Sequence, residues 1–280
     1  MGDAKVSVED VTEGLGAFDD IEVLGAGTFG TTFRVARGDD EYALKVIHYP
    51  NMPTHLWDRE IAALQTVDHP NVVAFRRADR FRLRDQDFPY IECEFISGGT
   101  VRAAIQRNKL PVNAEQLTTF LTGLLAGVAE IHDLEIIHRD IKPENVALRD
   151  GDWGQPVLLD FGLSRMVGAT TYTAYPALRG TVPYMAPEQL RGEPARTRSD
   201  LFAVGAVVYE AGTGRHPFNW SHAVHTTQEL HDRIKTTRPD EPKAGPWNER
   251  TRRVVLRLLS FHAHQRLGVE QAIREIEGDD

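Results

Sequence analysis

The chain reads as an α+β protein of two unequal parts, a smaller β-rich one holding a single main helix and a larger helical one. Three observations predict this. From Phe18 to about Phe95, short apolar runs broken by turn residues have the period of strands. Ser97-Gly98-Gly99 then marks a flexible joint, and beyond it apolar residues recur at helical spacing. At 280 residues the chain has the size at which one core begins to divide into two. The expected organisation is an N-terminal extension over 1–17, the β-rich part over 18–96 and the helical part over 97–280.

Ile21 to Leu24, Thr31 to Val35 and Tyr42 to Ile47 read as strands, each close to turn residues. One helix interrupts them from roughly Thr54 to Val67, with Thr54 as its N-cap and Asp68-His69-Pro70 as its stop. Phe75 to Leu83 alternates Phe and Leu with Arg76, Arg77, Arg80 and Arg82, which predicts the wet face of a hairpin rather than an anion-binding patch. Past the joint, Asn113 begins a capping box with Gln116, and Leu117, Phe120, Leu121, Leu124, Val128 and Ile131 follow on one helical face. Thr197 to Gly212 and Arg250 to Ile276 also read as helices, with the proline-rich stretch Pro239 to Pro246 between them. His216, His222, His225 and His231 lack Cys or carboxylate partners at ligand spacing, so they read as a solvated loop and not as a metal site.

Composition excludes several roles. Hydrophobic residues make up 41% and charged residues 26%, an ordinary globular balance. A formal net charge of −9 argues against general affinity for nucleic acid or an anionic membrane. The single cysteine, Cys93, excludes an internal disulfide and fits a reducing compartment, so a cytoplasmic location is expected. The acidic start MGDAKVSVEDV has no apolar signal core and fits a myristoylation pattern poorly. The longest apolar stretch, Leu201 to Val208, is far too short to span a bilayer.

The chemistry concentrates in HRDIKPEN, His138 through Asn145, followed fifteen residues later by Asp160-Phe161-Gly162. A carboxylate, a lysine, an amide and a second carboxylate stand in the order that phosphoryl transfer requires. Asp140 would accept or orient the attacking hydroxyl, Lys142 would neutralise charge on the moving group, and Asn145 and Asp160 would give hard oxygen ligands to magnesium. GAGTFG, Gly25 to Gly30, lets the backbone approach phosphates and turn N–H groups toward them. Alone it would also suit a hairpin turn or a dinucleotide site. In the dinucleotide case a helix should follow, and here a strand-like segment does.

The catalytic string resembles the loop of eukaryotic-type protein kinases, of the Ser/Thr branch. Gly180-Thr181 and Tyr184-Met185-Ala186-Pro187-Glu188 close the following segment as in that family, and MAPEQL, Met185 to Leu190, and SDLFAVGAVVYEAGTGRHPF look most like the bacterial eukaryotic-like Ser/Thr kinases. The resemblance covers about Phe18 to Glu277. It implies a bilobal protein-kinase-like fold, with a β-rich N-lobe, a mainly helical C-lobe and the site in the cleft between. It further implies that Gly25, Gly27 and Gly30 cradle phosphates, that Thr32 and Ala43 line the adenine and that Lys45 holds the α and β phosphates with Glu60 as its ion-pair partner. Thr32 departs from the usual Val and makes the adenine roof more polar. Glu94 and Ile96 would read the adenine edge through their backbones, with Cys93 guarding the back of the pocket.

By the same resemblance Arg139 pairs with a phosphate on the segment from Asp160 to Glu188, where Thr170, Thr171 and Thr173 are the expected autophosphorylation sites. Thr181 would bond Asp140 and Lys142, Glu188 would pair with Arg266, Asp200 would brace the catalytic loop, and His138 would pack behind Phe161. The implied cofactors are ATP and Mg²⁺, with Mn²⁺ as the alternative ion, and the implied partner is a protein substrate, the chain itself included. A homodimer is left open. Two other readings compete. A pseudokinase scaffold is opposed by the presence of Lys45, Glu60, Asp140, Lys142, Asn145 and Asp160 together. A small-molecule kinase of the aminoglycoside or choline type is opposed by the segment Gly180-Thr181 to Glu188 and by the IKPEN form of the loop.

Overall fold

The computed structural model describes residues 6–27, 30–160, 182–219 and 226–278, save the side chains at 56, 59 and 60. These fall into two compact units, the first made of the described residues of 6–68 and 73–95, the second of 69–72, 96–160, 182–219 and 226–278.

The first unit is an antiparallel five-stranded sheet in the order β1-β2-β3-β5-β4, with β1 Asp20–Ala26, β2 Gly30–Arg37, β3 Asp40–Ile47, β4 Phe75–Leu83 and β5 Gln86–Glu94. Period-2 alternation sends Phe33, Val35, Tyr42, Leu44, Val46 and Tyr90 to one face, where they form a buried core with Phe81 and Leu83. A helix that the sequence reading did not foresee, α1 (Val8–Leu15), closes this core with Val6 and Val11. Its Ser7–Asp10 capping box satisfies the first N–H groups, and Asp10 also accepts from Arg84 at 2.6 Å. Gly14 must be glycine, because a Cβ there would lie 2.0 Å from the Phe81 ring.

Helix α2 runs Thr54–Gln65. Thr54 is its first residue and not its cap, since Pro53 holds the cap position without a side-chain hydrogen bond. The arginines of β4 prove to be hairpin-face residues. Arg76 pairs with Asp40, Arg77 with Glu92 at 2.9 Å and Arg82 with Asp87 at 3.3 Å, while Arg80 donates to the Met52 carbonyl at 2.7 Å.

The second unit is helical: α3 Val101–Gln106, α4 Ala114–Asp133, α5 Pro187–Leu190, α6 Thr197–Thr213, α7 Thr227–Thr236, α8 Glu249–Leu258 and α9 Val269–Glu277, with a two-stranded sheet of β6 Val146–Leu148 and β7 Pro156–Leu158. Helix α6 is buried almost all round and α4 packs on it, with Leu117, Phe120, Leu121, Leu124, Val128 and Ile131 all fully buried. Asn113 does cap α4, accepting from Gln116 N at 2.9 Å, but the return bond of Gln116 goes to Val112 N, one residue earlier than a capping box requires.

The expected helix over Arg250–Ile276 is two helices, α8 and α9. Between them Arg266 is buried and takes the carbonyls of Ser260 and Phe261 at 2.9 Å, which a continuing helix would have used itself. The histidines also depart from the solvated loop expected for them. His216 is buried, with Nε2 bonded to the Pro183 carbonyl at 2.8 Å, and His231 is buried on α7; His222 and His225 lie outside the described residues. Among the described residues no helix is long and apolar enough to cross a membrane.

Candidate active site

In the first unit, β-register gathers the nucleotide-side candidates onto the sheet face opposite the core. Lys45 on β3 stands across from Thr32 on β2 and Ile91 on β5, and Ala43 stands across from Cys93. Because residues two apart share a face, Thr32, Ala43, Lys45 and Cys93 lie together. Glu94 faces the other way, opposite Tyr42. Its N–H donates to the Ala74 carbonyl at 2.9 Å and its carboxylate accepts from Ala74 N at 3.0 Å. At the β1–β2 hairpin Gly27 N–H donates to Gly30 O at 2.9 Å, closing the glycine turn. Gly30 is pressed against β3, where a Cβ would lie 2.3 Å from the Val46 carbonyl oxygen; among the described residues nothing lies within 4 Å of a Cβ at Gly25 or Gly27. The Glu60 side chain, and with it the expected pair to Lys45, lies outside the described residues.

In the second unit the catalytic string forms an extended loop ending in a 3-10 turn, Pro143–Asn145. Lys142 Nζ lies 2.9 and 3.1 Å from the two oxygens of Asp140. Asn145 donates its amide nitrogen to both the Asp140 carbonyl and carboxylate at 2.9 Å. That orientation leaves the Asn145 side-chain oxygen as the atom for a cation, and an amide oxygen beside the Asp160 carboxylate in the sequence motif is the hard donor chemistry a divalent metal takes.

The loop is held from below by Asp200 in the first turn of α6, itself 1% exposed. One of its oxygens accepts from Arg139 N at 2.8 Å; the other accepts from His138 N and lies against His132 Nε2, each at 2.9 Å. Two backbone amides and a ring nitrogen thus converge on one buried carboxylate, which fixes the backbone under Asp140. Arg139 and Asp160 are held at φ 70° and 59°, left-handed values that cost energy in a residue with a Cβ and persist where surroundings impose them. His138 is fully buried, its Nε2 2.9 Å from the Leu159 carbonyl; its expected neighbour Phe161 lies outside the described residues. The Arg139 Nε is buried with no hydrogen-bond partner among the described residues.

A second buried pair stands behind this loop. Arg266, its side chain without exposure, takes both oxygens of Glu188 at 2.7 and 2.9 Å, and Ser199 adds a third bond at 2.7 Å. Burial alone would raise the Glu188 carboxyl, yet the Arg266 guanidinium and the Ser199 hydroxyl hold it below its usual range. Thr170, Thr171, Thr173 and Thr181 lie outside the described residues. The sequence reading missed a second polar cluster, in which Arg102 bonds Glu144, Glu210 and Tyr184. Nothing short-range signals it, because its members are spread from α3 to α6.

Residues 18–275 match the protein kinase domain family. The chain is similar to the serine/threonine-protein kinase PrkC of Bacillus subtilis, 29% identical over 239 residues that cover 83% of this chain and 35% of that protein. It is similar to the probable serine/threonine-protein kinase PknB of Lactococcus lactis, 31% identical over 235 residues, 80% of this chain and 36% of the relative. Against the serine/threonine-protein kinase PknL of Mycobacterium tuberculosis it is 39% identical over 142 residues, 50% of this chain and 35% of the relative. The chain spans about a third of the length of these curated relatives. Protein kinase domains use ATP with a divalent metal and act on proteins. The matched family, the kinase string on its Asp200 support and the buried Glu188–Arg266 pair lead to one conclusion: the chain belongs to the protein kinase domain family, among its serine/threonine kinases and near the bacterial ones.

Proposed function

We propose that the protein carrying this domain transfers the γ-phosphoryl group of ATP to serine or threonine hydroxyls of proteins. The observation that carries this is the Asp140, Lys142 and Asn145 cluster, bonded together at 2.9 to 3.1 Å over a buried carboxylate. Asp140 orients the acceptor hydroxyl, and Lys142 offsets negative charge on the transferring group. On the nucleotide side, the amides of the turn from Gly25 to Gly30 and Lys45 hold the phosphates, with Glu60 as partner of Lys45. Thr32 and Ala43 line the adenine, and Ile96 and the carbonyl of Glu94 read its edge, since the Glu94 N–H is already engaged by Ala74. Asn145 and Asp160 hold the metal, for which oxygen donors favour Mg²⁺ with Mn²⁺ as the alternative. The metal supplies neutralising charge on the phosphate oxygens. Most of the rate enhancement comes from positioning and charge, because the transfer needs little covalent help from the protein.

Arg139 is the proposed receiver of a phosphate formed on Thr170, Thr171 or Thr173, and its unpartnered Nε supports a group waiting for an anion. The test is intact mass of the purified protein after incubation with Mg²⁺ and ATP, beside Asp140→Asn. A gain of about 80 Da per phosphate in the wild type alone is the expected result. No gain, together with no transfer to a generic protein substrate, would defeat the reading.

A further inference from the structure

Helix α2 has little to fix it from within. Among the described residues Pro53 caps it with no side-chain hydrogen bond, and neither an acid in its first turn nor a base in its last complements the helix dipole. At this length most helical stability comes from tertiary packing. The contacts at its N-terminal end converge on the β4–β5 hairpin of the same unit. Asn51, held at φ 56°, donates its N–H to the Asp87 carbonyl at 2.8 Å, and its side-chain oxygen accepts from Asp87 N at 3.1 Å. Met52, 2% exposed, gives its carbonyl to an Nη of Arg80 at 2.7 Å. The same guanidinium stands 5.7 Å from the ring centre of Trp57, a buried residue of α2.

Arg80 therefore differs from its neighbours on β4. Arg76, Arg77 and Arg82 pair with carboxylates of the sheet itself, whereas Arg80 takes a carbonyl ahead of α2 and an aromatic face on it. Register adds a second point. Ile91 stands across from Lys45 on one side and from Ala78 on the other, and Ala78 and Arg80 are two apart, so Arg80 shares its sheet face with Lys45. Glu60, the proposed partner of Lys45, follows Trp57 by three residues, less than one helical turn. A guanidinium is planar, with its donors set in direction, so one that spans the Met52 carbonyl and the Trp57 ring fixes both the entry and the rotation of that turn.

We propose that Arg80 is a positioning residue for phosphoryl transfer: by tying the Met52 carbonyl and the Trp57 ring to β4 it sets the rotation of α2, and through α2 the place of Glu60 as partner of Lys45. Arg80 touches no reacting atom and acts only through the helix. This rests on the reading that Glu60 pairs with Lys45.

The experiment measures kcat and KM on a serine peptide for the wild type, Arg80→Met, Glu60→Gln and the double variant, with Arg80→Lys as rescue and Arg76→Met as control. Arg80→Met keeps the stem and loses the donors and the charge, so kcat should fall about tenfold while the peptide KM stays within about twofold, as a small displacement of a working group does. Arg80→Lys, which keeps a cation and a donor, should recover most of the turnover, and Arg76→Met should match the wild type. In the Glu60→Gln background Arg80→Met should change kcat by less than about twofold, because residues that act as one chain are not additive. Fluorine NMR of protein labelled with fluorotryptophan gives a readout free of turnover. Of its four lines only that of Trp57, assigned with Trp57→Phe, should broaden or split in Arg80→Met. A full further loss in the double variant overturns the proposal, for Arg80 would then act apart from Glu60. So does unchanged turnover in Arg80→Met, or lost turnover with an unmoved Trp57 line. Movement of all four lines makes Arg80 a general structural residue and overturns it too. A wild type without turnover, or a Glu60→Gln protein with full turnover, defeats the underlying reading instead, and the Trp57 line then still decides whether Arg80 ties α2.

Discussion

The glycine turn of the first unit and the catalytic loop of the second are built on opposite plans. Along β1 the chain is nearly all exposed, with Val23 and Leu24 each 47% exposed, and among the described residues no atom crowds Gly25 or Gly27. The catalytic loop lies on a carboxylate that is 1% exposed, with Asp140, Lys142 and Asn145 bonded to one another. A group that works through backbone N–H needs side chains to be absent. Side chains that work through their own atoms need a bed that will not yield. The difference implies that substitutions in the turn act on ligand affinity, and substitutions beneath the loop act on fold and rate together.

The largest expected effect breaks the loop at the carboxylate proposed to orient the acceptor hydroxyl. Asp140→Asn should lower kcat by about 10³-fold or more while the denaturation midpoint stays near wild type, read by peptide phosphorylation beside urea unfolding. Asp200→Ala tests the bed, since it leaves the amides of His138 and Arg139 without their acceptor. It should cost about 3–5 kcal/mol in unfolding free energy and lower kcat too. Loss of rate with no loss of stability would refute the structural role given to Asp200.

Next comes pH. Burial pulls the His216 imidazole down to about 4, against a weaker opposing pull from its bond to the Pro183 carbonyl. As pH falls below the ordinary value of about 6.5 the unfolded chain takes up a proton that the fold refuses. The stability due to neutral His216 is therefore complete above about pH 6.5 and declines by about 3 kcal/mol as pH falls to about 4. Urea unfolding from about pH 7 to about pH 4.5 should show this slope, and His216→Phe should flatten it.

The smallest effects separate two glycines of the turn itself. Gly30→Ala forces a Cβ against the Val46 carbonyl and should cost about 1–3 kcal/mol. Gly25→Ala should change stability by less than about 0.5 kcal/mol and raise KM for ATP. Equal stability losses in the two variants would erase the contrast.

What was legible in the chain was local. HRDIKPEN names the groups that meet at Asp140 because they sit within six residues, and strand alternation alone places Lys45 and Ala43 on one face. The β4 arginines read correctly as a hairpin face because charge alternating with Phe and Leu has few other uses. The failures were tertiary. Apolar spacing carries on past Leu258, and only the burial of Arg266 explains why the helix stops there to lend it the Ser260 and Phe261 carbonyls. His216 looked like a loop residue among other histidines, yet it packs edge-on against Tyr184 at 5.5 Å. Arg102 carried no signal, since its three acceptors are brought to it by the fold.

Gly14 sets a practical limit on where this domain can be cut. The family resemblance starts at residue 18, but α1 lies on Phe81 through Gly14, and Arg37 ties its exit by taking the Leu15 carbonyl at 3.1 Å and covering the Phe18 ring. A version trimmed to begin at Phe18 would lose Val6 and Val11 and leave a greasy stripe over Phe81 and Leu83. Such a stripe invites precipitation during purification, so the soluble limit of the domain lies ahead of its homology limit.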